Sequence, residues 1–406
     1  MGKGTEEHFR WRDLSESEMQ KWFSDTDRCM LVTNSTSIYP SELRGNECGQ
    51  FSKGNKKILC AVGMGTNNAP CFGPYSTARP NFHRGIEGYT NFSDKPLIDA
   101  FEALISQNTT LVLLGDSTTR QKLQSMECEI RREDSRARTN GKIWGILPCE
   151  TRYEVYLGGK TMSVVVASIG PNSANCLKNG LGKRGVAGGS FENAAHIVER
   201  EMTAHNKSVL VVANSGLWYN DEVLFRSHVP PLLEWLQQVA TLGGVKGHKY
   251  NHAKHNRVAW HETVAQHWAN PENTGYFAKP YVEHQETEWP KDIQHTAVST
   301  FQVPQCCRAI SNTSYMADWR NDIVRDLLGE RVGGRGGEGG SGSGDRGSKY
   351  GNIELFPIAA ITRPLADMHT CNPLYKHDCT HYCYTPLMLQ PLWHQIRQLA
   401  LRGPEA

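Results

Sequence analysis

The sequence predicts an α/β three-layer sandwich built on a central, mainly parallel sheet. Three apolar runs carry that reading: Leu111–Leu114, Met162–Ile169 and Val209–Ala213. Each is a short block with few polar residues, as a strand covered on both faces requires. Helical patterns separate them, which is the alternation of a sheet wound with helices on both sides. The first run matters most, because it passes directly into Gly115-Asp116-Ser117. Glycine lets the backbone turn tightly there, and Thr118–Glu129 reads as a helix that starts at once. A serine at such a turn sits at the carboxyl edge of the sheet, where open α/β folds place their ligands. The first helical N–H groups can stabilise an oxyanion beside it. Asp116 and Ser117 are also favoured helix caps, so the turn alone supports either role.

The remaining elements follow in order. Residues 1–95 are rich in Gly, Pro, Asn and Ser and hold cysteines at 29, 48, 60 and 71. They are expected to form an irregular, disulfide-braced segment packed on a main domain of residues 96–406. Pro96–Ser106 is a short amphipathic helix leading into the first strand. Arg131–Asn140 reads as a charged surface stretch, and Ile143–Leu147 and Tyr153–Leu157 as further strands. Asn179–Ser190 is glycine-rich and is expected to be a mobile loop at the mouth of the cleft; it lacks the lysine of a phosphate loop. Phe191–His205 and Pro230–Leu242 read as helices, with Val258–Trp260 a short strand. A flexible Gly-rich insertion at 329–349 interrupts the domain without dividing it. A strand at Ile353–Ile361 and an amphipathic helix at Pro386–Leu401 complete it.

Bulk properties narrow the class. The chain has 406 residues and a net charge of +2, which gives no electrostatic reason to propose nucleic acid as a partner. The twelve cysteines and the five Asn-x-Ser/Thr sequons at Asn34, Asn91, Asn108, Asn206 and Asn312 point to an oxidising, secretory compartment. No apolar run approaches the roughly 20 residues of a spanning helix. Met1–His8 carries no apolar signal region, and Glu6 breaks the myristoylation pattern. The sequence is therefore expected to be a lumenal fragment or to lack an upstream exon. Any membrane association would run through an anchor absent from this chain.

An activated serine needs a base, and the base needs an orienting carboxylate. Asp378-Cys379-Thr380-His381 offers both, read as a turn just before the last helix; Asp367-x-His369 is the competing pair. Asn214-Ser215-Gly216-Leu217-Trp218 follows the third apolar run. His248–His267 holds five histidines but no HxH or HExxH, so no metal site is expected. Within it, the segment from His261 to His267 is expected to line the acceptor side of the cleft. Trp218 and Tyr219 suit sugar stacking or core packing. Arg120 and Arg363 suit acceptor binding or a carboxylate pair.

Together these residues resemble the SGNH (GDSL-like) hydrolase superfamily. The PC-esterase branch is the nearer likeness, and it includes the plant trichome-birefringence-like polysaccharide O-acetyltransferases. The resemblance rests on Gly115-Asp116-Ser117-Thr118-Thr119-Arg120, Asn214-x-Gly216-x-Trp218, Arg363…Asp367-x-His369 and Asp378-Cys379-x-His381-Tyr382-Cys383, and spans residues 108–400. It implies an SGNH/flavodoxin-like sandwich. Ser117 would be nucleophile, His381 base and acid, and Asp378 its orienter. Ser117 N–H, Asn214 and Gly170 would form the oxyanion hole, with Arg120, Trp218, His267 and Arg363 contacting substrate. It also implies a carbohydrate O-acetyltransferase of the Golgi lumen or extracellular space, with a glycan acceptor, an acetyl donor and no bound cofactor. A carbohydrate esterase with the same triad, or a silent glycan-binding protein on the same fold, are the alternatives. Four features depart from the family: Tyr382 in place of Trp, Tyr-Thr-Pro after Cys383, the Gly-rich insertion, and the N-terminal cysteine-containing part, so the family's acceptor polysaccharide is not carried over.

Overall fold

Val and Leu fill the central strands on both faces, so helices must cover the sheet from both sides. The computed structural model of the chain realises this. It describes residues 10–13, 84–87, 95–134, 136–140, 150–169, 192–203, 205, 207–217, 219, 221–242, 256–267, 318–329, 349–362, 369–370, 378–382 and 386–402. Two N-terminal strands, β1 (Arg10–Asp13) and β2 (Arg84–Glu87), pair antiparallel. The cysteines at 29, 48, 60 and 71 and the Asn179–Ser190 loop lie outside the described residues, as do residues 330–348 of the insertion.

At the centre lies β3 (Thr109–Gly115). Its neighbours are β6 (Lys160–Ser168) and β7 (Ser208–Ala213), both parallel to it. Beyond β7 come β8 (Arg257–His261) and β9 (Ile353–Phe356), also parallel. On the other side β5 (Thr151–Leu157) and β4 (Arg138–Asn140) add antiparallel, giving a seven-stranded sheet in the order β4-β5-β6-β3-β7-β8-β9. Strand β9 follows the insertion and still pairs with β8, so both sides of the insertion build one sheet.

Helices α1 (Pro96–Ser106), α2 (Ser117–Glu133) and α7 (Pro386–Leu401) cover one face. They pack Phe101, Leu123, Met126 and Trp393 onto Leu111, Leu113, Leu210 and Val212. Helices α3 (Glu192–Thr203), α4 (Glu222–Leu242) and α5 (Trp319–Leu328) cover the other. They set Ile197, Phe225, Leu233 and Val324 against Val112, Leu114, Val211 and Trp260. From β3 the chain leaves toward β4–β6, whereas from β7 it leaves through α4 toward β8. The carboxyl ends of β3 and β7 therefore flank a topological switch point, where sheets of this kind open a crevice.

The structure corrects several boundaries. The expected start of α4 at Pro230 moves back to Glu222, because Asp221 Oδ1 accepts the Val223 and Leu224 N–H groups at 2.8 and 3.1 Å and caps the helix there. Burial of Phe225 and Val229 carries it through Pro230-Pro231. The strand expected over Ile353–Ile361 stops at Phe356, before Pro357, and a short helix α6 (Ala359–Thr362) follows. Part of the Arg131–Asn140 surface stretch extends α2 and forms β4. Helix α5 had no counterpart in the sequence reading. The expected strand at Ile143–Leu147 lies outside the described residues.

Candidate active site

The β3 exit is built by local rules. Asp116, not Ser117, caps α2: its backbone is extended, and Oδ1 accepts from Thr118 N (2.9 Å) and Thr118 Oγ1 (2.7 Å). Ser117 is thereby the first helical residue, partly exposed, at the switch point. Only glycine fits at 115. A Cβ there would lie 2.0 Å from Thr119 Oγ1 and 3.2 Å from the Asn214 carbonyl. Gly115 O accepts from Ile169 N at 3.1 Å, which ties the end of β6 to the same turn. Gly170 itself lies outside the described residues.

Asn214 follows the last residue of β7 beside this turn. Its backbone N–H donates to Leu114 O, and its side-chain Nδ2 donates to His261 O, each at 2.8 Å. It is buried, and an amide nitrogen with one hydrogen on His261 O has a second to donate. His261 ends β8, and Lys122 reaches its Nδ1 at 3.5 Å from the second turn of α2. Burial brings Lys122 down to about 8 against the pull of Asp116. Burial, with the Lys122 charge second, holds His261 well below its ordinary value. Asp116 Oδ2 is buried without a hydrogen-bond partner.

The sequence from Glu262 to His267 is buried throughout. Side chains from other elements satisfy its backbone. Asn321 Oδ1 accepts from Thr263 N at 2.8 Å, and Asn321 Nδ2 donates to Thr263 O at 3.0 Å. Ala265 N donates to Thr362 Oγ1 at 3.0 Å. Glu262 accepts from Arg325 Nε (2.7 Å) and from Ala359 N (2.9 Å). Burial pushes its carboxyl up, and Arg325 works against that.

This buried run holds the C-terminal candidate pair in place. Asp378–Tyr382 is a strand, β11, not the expected turn, and it pairs antiparallel with β10 (His369–Thr370). The ladder passes from His369↔Tyr382 to Thr370↔Asp378, so residues 379–381 bulge out of the register. Both competing histidines, His369 and His381, therefore stand on one ribbon. Gln266 Nε2 donates to Thr380 Oγ1 at 2.8 Å, and the Tyr382 hydroxyl donates to Ala265 O. Burial drives that hydroxyl far above its ordinary value. Strand β11 also packs on α2, the helix that Ser117 begins.

The fold thus gathers Ser117, Asn214 and the Asp378/His381 strand onto adjoining elements. The side chains of Asp378, His381 and Arg120 lie outside the described residues, as do Trp218 and Arg363. His267 differs from expectation. It is fully buried, with its ring edge-on to Tyr382 at 6.1 Å, and so lies under β11 instead of on an open cleft wall. Tyr219 is core, edge-on to Phe225. The sequence reading missed Lys122 and Asn321. The signal for Lys122 was its place on the buried stripe of α2 with Thr119, Leu123 and Met126. Among the described residues no group of three or more His, Cys, Asp or Glu side chains is placed to hold a metal ion, and no helix is long and apolar enough to cross a membrane. No family model and no curated protein matches the chain.

Proposed function

We propose that this chain is a carbohydrate O-acetyltransferase of SGNH type, working through an acyl-Ser117 intermediate. The observation that supports it best is one juxtaposition: a partly exposed serine at the switch point, relieved of capping by Asp116, with Asn214 at the next strand end and the Asp378/His381 strand packed on the serine's own helix. In this reading His381 takes the Ser117 proton as Oγ attacks the acetyl carbonyl. The Ser117 N–H and the Asn214 amide stabilise the oxyanion, with Gly170 a third donor. The donor's leaving oxygen departs with the proton from His381. A glycan hydroxyl, deprotonated by His381, then attacks the acyl-serine, gains the acetyl group and restores Ser117. Water in place of the glycan makes the same chain an esterase. Arg120, Trp218 and Arg363 are the proposed glycan contacts. A secretory or Golgi location with cysteine bracing of residues 1–95 belongs to the same reading, tested by mass spectrometry of the unreduced protein.

The decisive experiment is fluorophosphonate labelling, with acetyl transfer from 4-nitrophenyl acetate to soluble polysaccharides scored alongside. Labelling at Ser117 and its loss in Ser117→Ala are expected. An unlabelled serine together with retained glycan binding would replace the enzyme by a silent binding protein.

A further inference from the structure

Lys122 and His261 have no part in the reaction above, yet they occupy the α2 face of the sheet at the site's edge. They are 7% and 1% exposed. An ammonium only donates, so His261 Nδ1 accepts from Lys122 Nζ across their 3.5 Å separation, which leaves the ring's proton on Nε2, an atom buried without a hydrogen-bond partner. The same residue's carbonyl accepts the Asn214 amide at 2.8 Å. Residue 261 therefore joins two things: a ring held from α2 and a carbonyl that sets the rotation of the Asn214 carboxamide. Helix α2 is also the helix that presents Ser117.

We propose that Lys122 is a positioning residue, acting through the ring and carbonyl of His261 to fix the Asn214 carboxamide relative to Ser117. The proposal rests on Ser117 as nucleophile and Asn214 as oxyanion donor. A neutral imidazole is what the contact requires, and burial together with the Lys122 charge keeps His261 neutral. An apolar residue at 122 would fill the space but take away the donor that sets the ring's Nδ1. The ring would then repack within its buried site, and the strain of that repacking falls on residue 261, whose carbonyl holds the Asn214 amide.

The test uses the full chain, 4-nitrophenyl acetate turnover and the rate of fluorophosphonate labelling, with thermal midpoints measured beside them. Lys122→Met keeps the stem and removes the donor. It is expected to lower kcat on the order of 10-fold with KM within about twofold, because an oxyanion contact is made only in the transition state. His261→Asn keeps an acceptor near the Nδ1 position and is expected to lose less than about threefold, while His261→Leu matches Lys122→Met. In an Asn214→Ala background Lys122→Met is expected to cost nothing more, since the group it positions is gone. Full kcat in Lys122→Met, or an equal loss in both backgrounds, overturns the proposal. If Lys122→Met does not fold, the His261 pair decides, and equal kcat in Asn and Leu overturns it. The parent reading fails by a different sign: turnover retained in Ser117→Ala, or no label on Ser117.

Discussion

Two strand exits of the same sheet are built to opposite specifications. At the end of β3 the chain turns at once, caps its helix with Asp116 and leaves Ser117 partly exposed. At the end of β8 the chain runs on from Glu262 to His267 with every residue buried, its backbone bound by Asn321, Thr362 and Tyr382. The first exit presents a functional group. The second presents none and instead fastens β11, which carries the candidate base, to the sheet. A site assembled from distant parts of a chain needs both kinds of exit. Catalytic residues held by buried second partners keep their geometry, and loosely held ones lose it.

If this division holds, substitutions at the two exits fail differently. The largest effect belongs to Ser117→Ala. It is expected to remove ester turnover by about 10⁴-fold or more while leaving the thermal midpoint unchanged, read by 4-nitrophenyl acetate kinetics and calorimetry. A large stability loss there would erase the distinction. Next comes Asn321→Leu at the buried exit, which strands both the N–H and the C=O of Thr263. It is expected to cost about 3 kcal/mol in urea unfolding.

Between the exits sits Lys122, whose folded-state value of about 8 lies below its unfolded value of 10.5. Between those limits the unfolded chain binds more protons, so this residue makes stability rise with pH across that window. Below pH 8 both states are protonated and the cost of the buried charge is constant. The stability deficit of the native chain against Lys122→Met is therefore expected to narrow by roughly 3 kcal/mol between pH 7.5 and 10.5, measured by urea titration at each pH. A pH-independent difference would mean that the lysine is solvated. The smallest effect is at Tyr382→Phe, which removes the hydroxyl bonded to Ala265 O. About 1–2 kcal/mol is expected, along with faster hydrogen exchange confined to β11 and the residues from Glu262 to His267.

The sheet was legible because its central strands are apolar on both faces, and the runs beginning at Leu111, Met162 and Val209 all became parallel neighbours. The Pro386–Leu401 helix was legible through its apolar stripe, and the turn at Ser117 through the glycine and the caps around it. Three things were not legible. The start of α4 was hidden because Pro230-Pro231 mimics a helix beginning, whereas Asp221 is the cap that sets it. The β11 strand was hidden because Asp378-Cys379-Thr380-His381-Tyr382 has no apolar alternation. Its partners are Gln266 and Ala265, more than a hundred residues earlier. His267 looked like a polar residue free to face a ligand, and only tertiary burial shows that it props Tyr382. The pattern of a sequence reports which faces are apolar; it carries no record of which polar residues are enclosed by another element.

The docking of β11 onto the β8 exit also has a consequence in time. Strand β9 completes the sheet, and the ribbon and α7 come after it in the chain. On the proposed reading the nucleophile turn is encoded early and its base late, and the two meet only once β11 has docked beside Ala265 and Gln266 and Trp393 of α7 has closed the α2 face. A chain lacking the stretch after β9 is therefore expected to show no ester turnover.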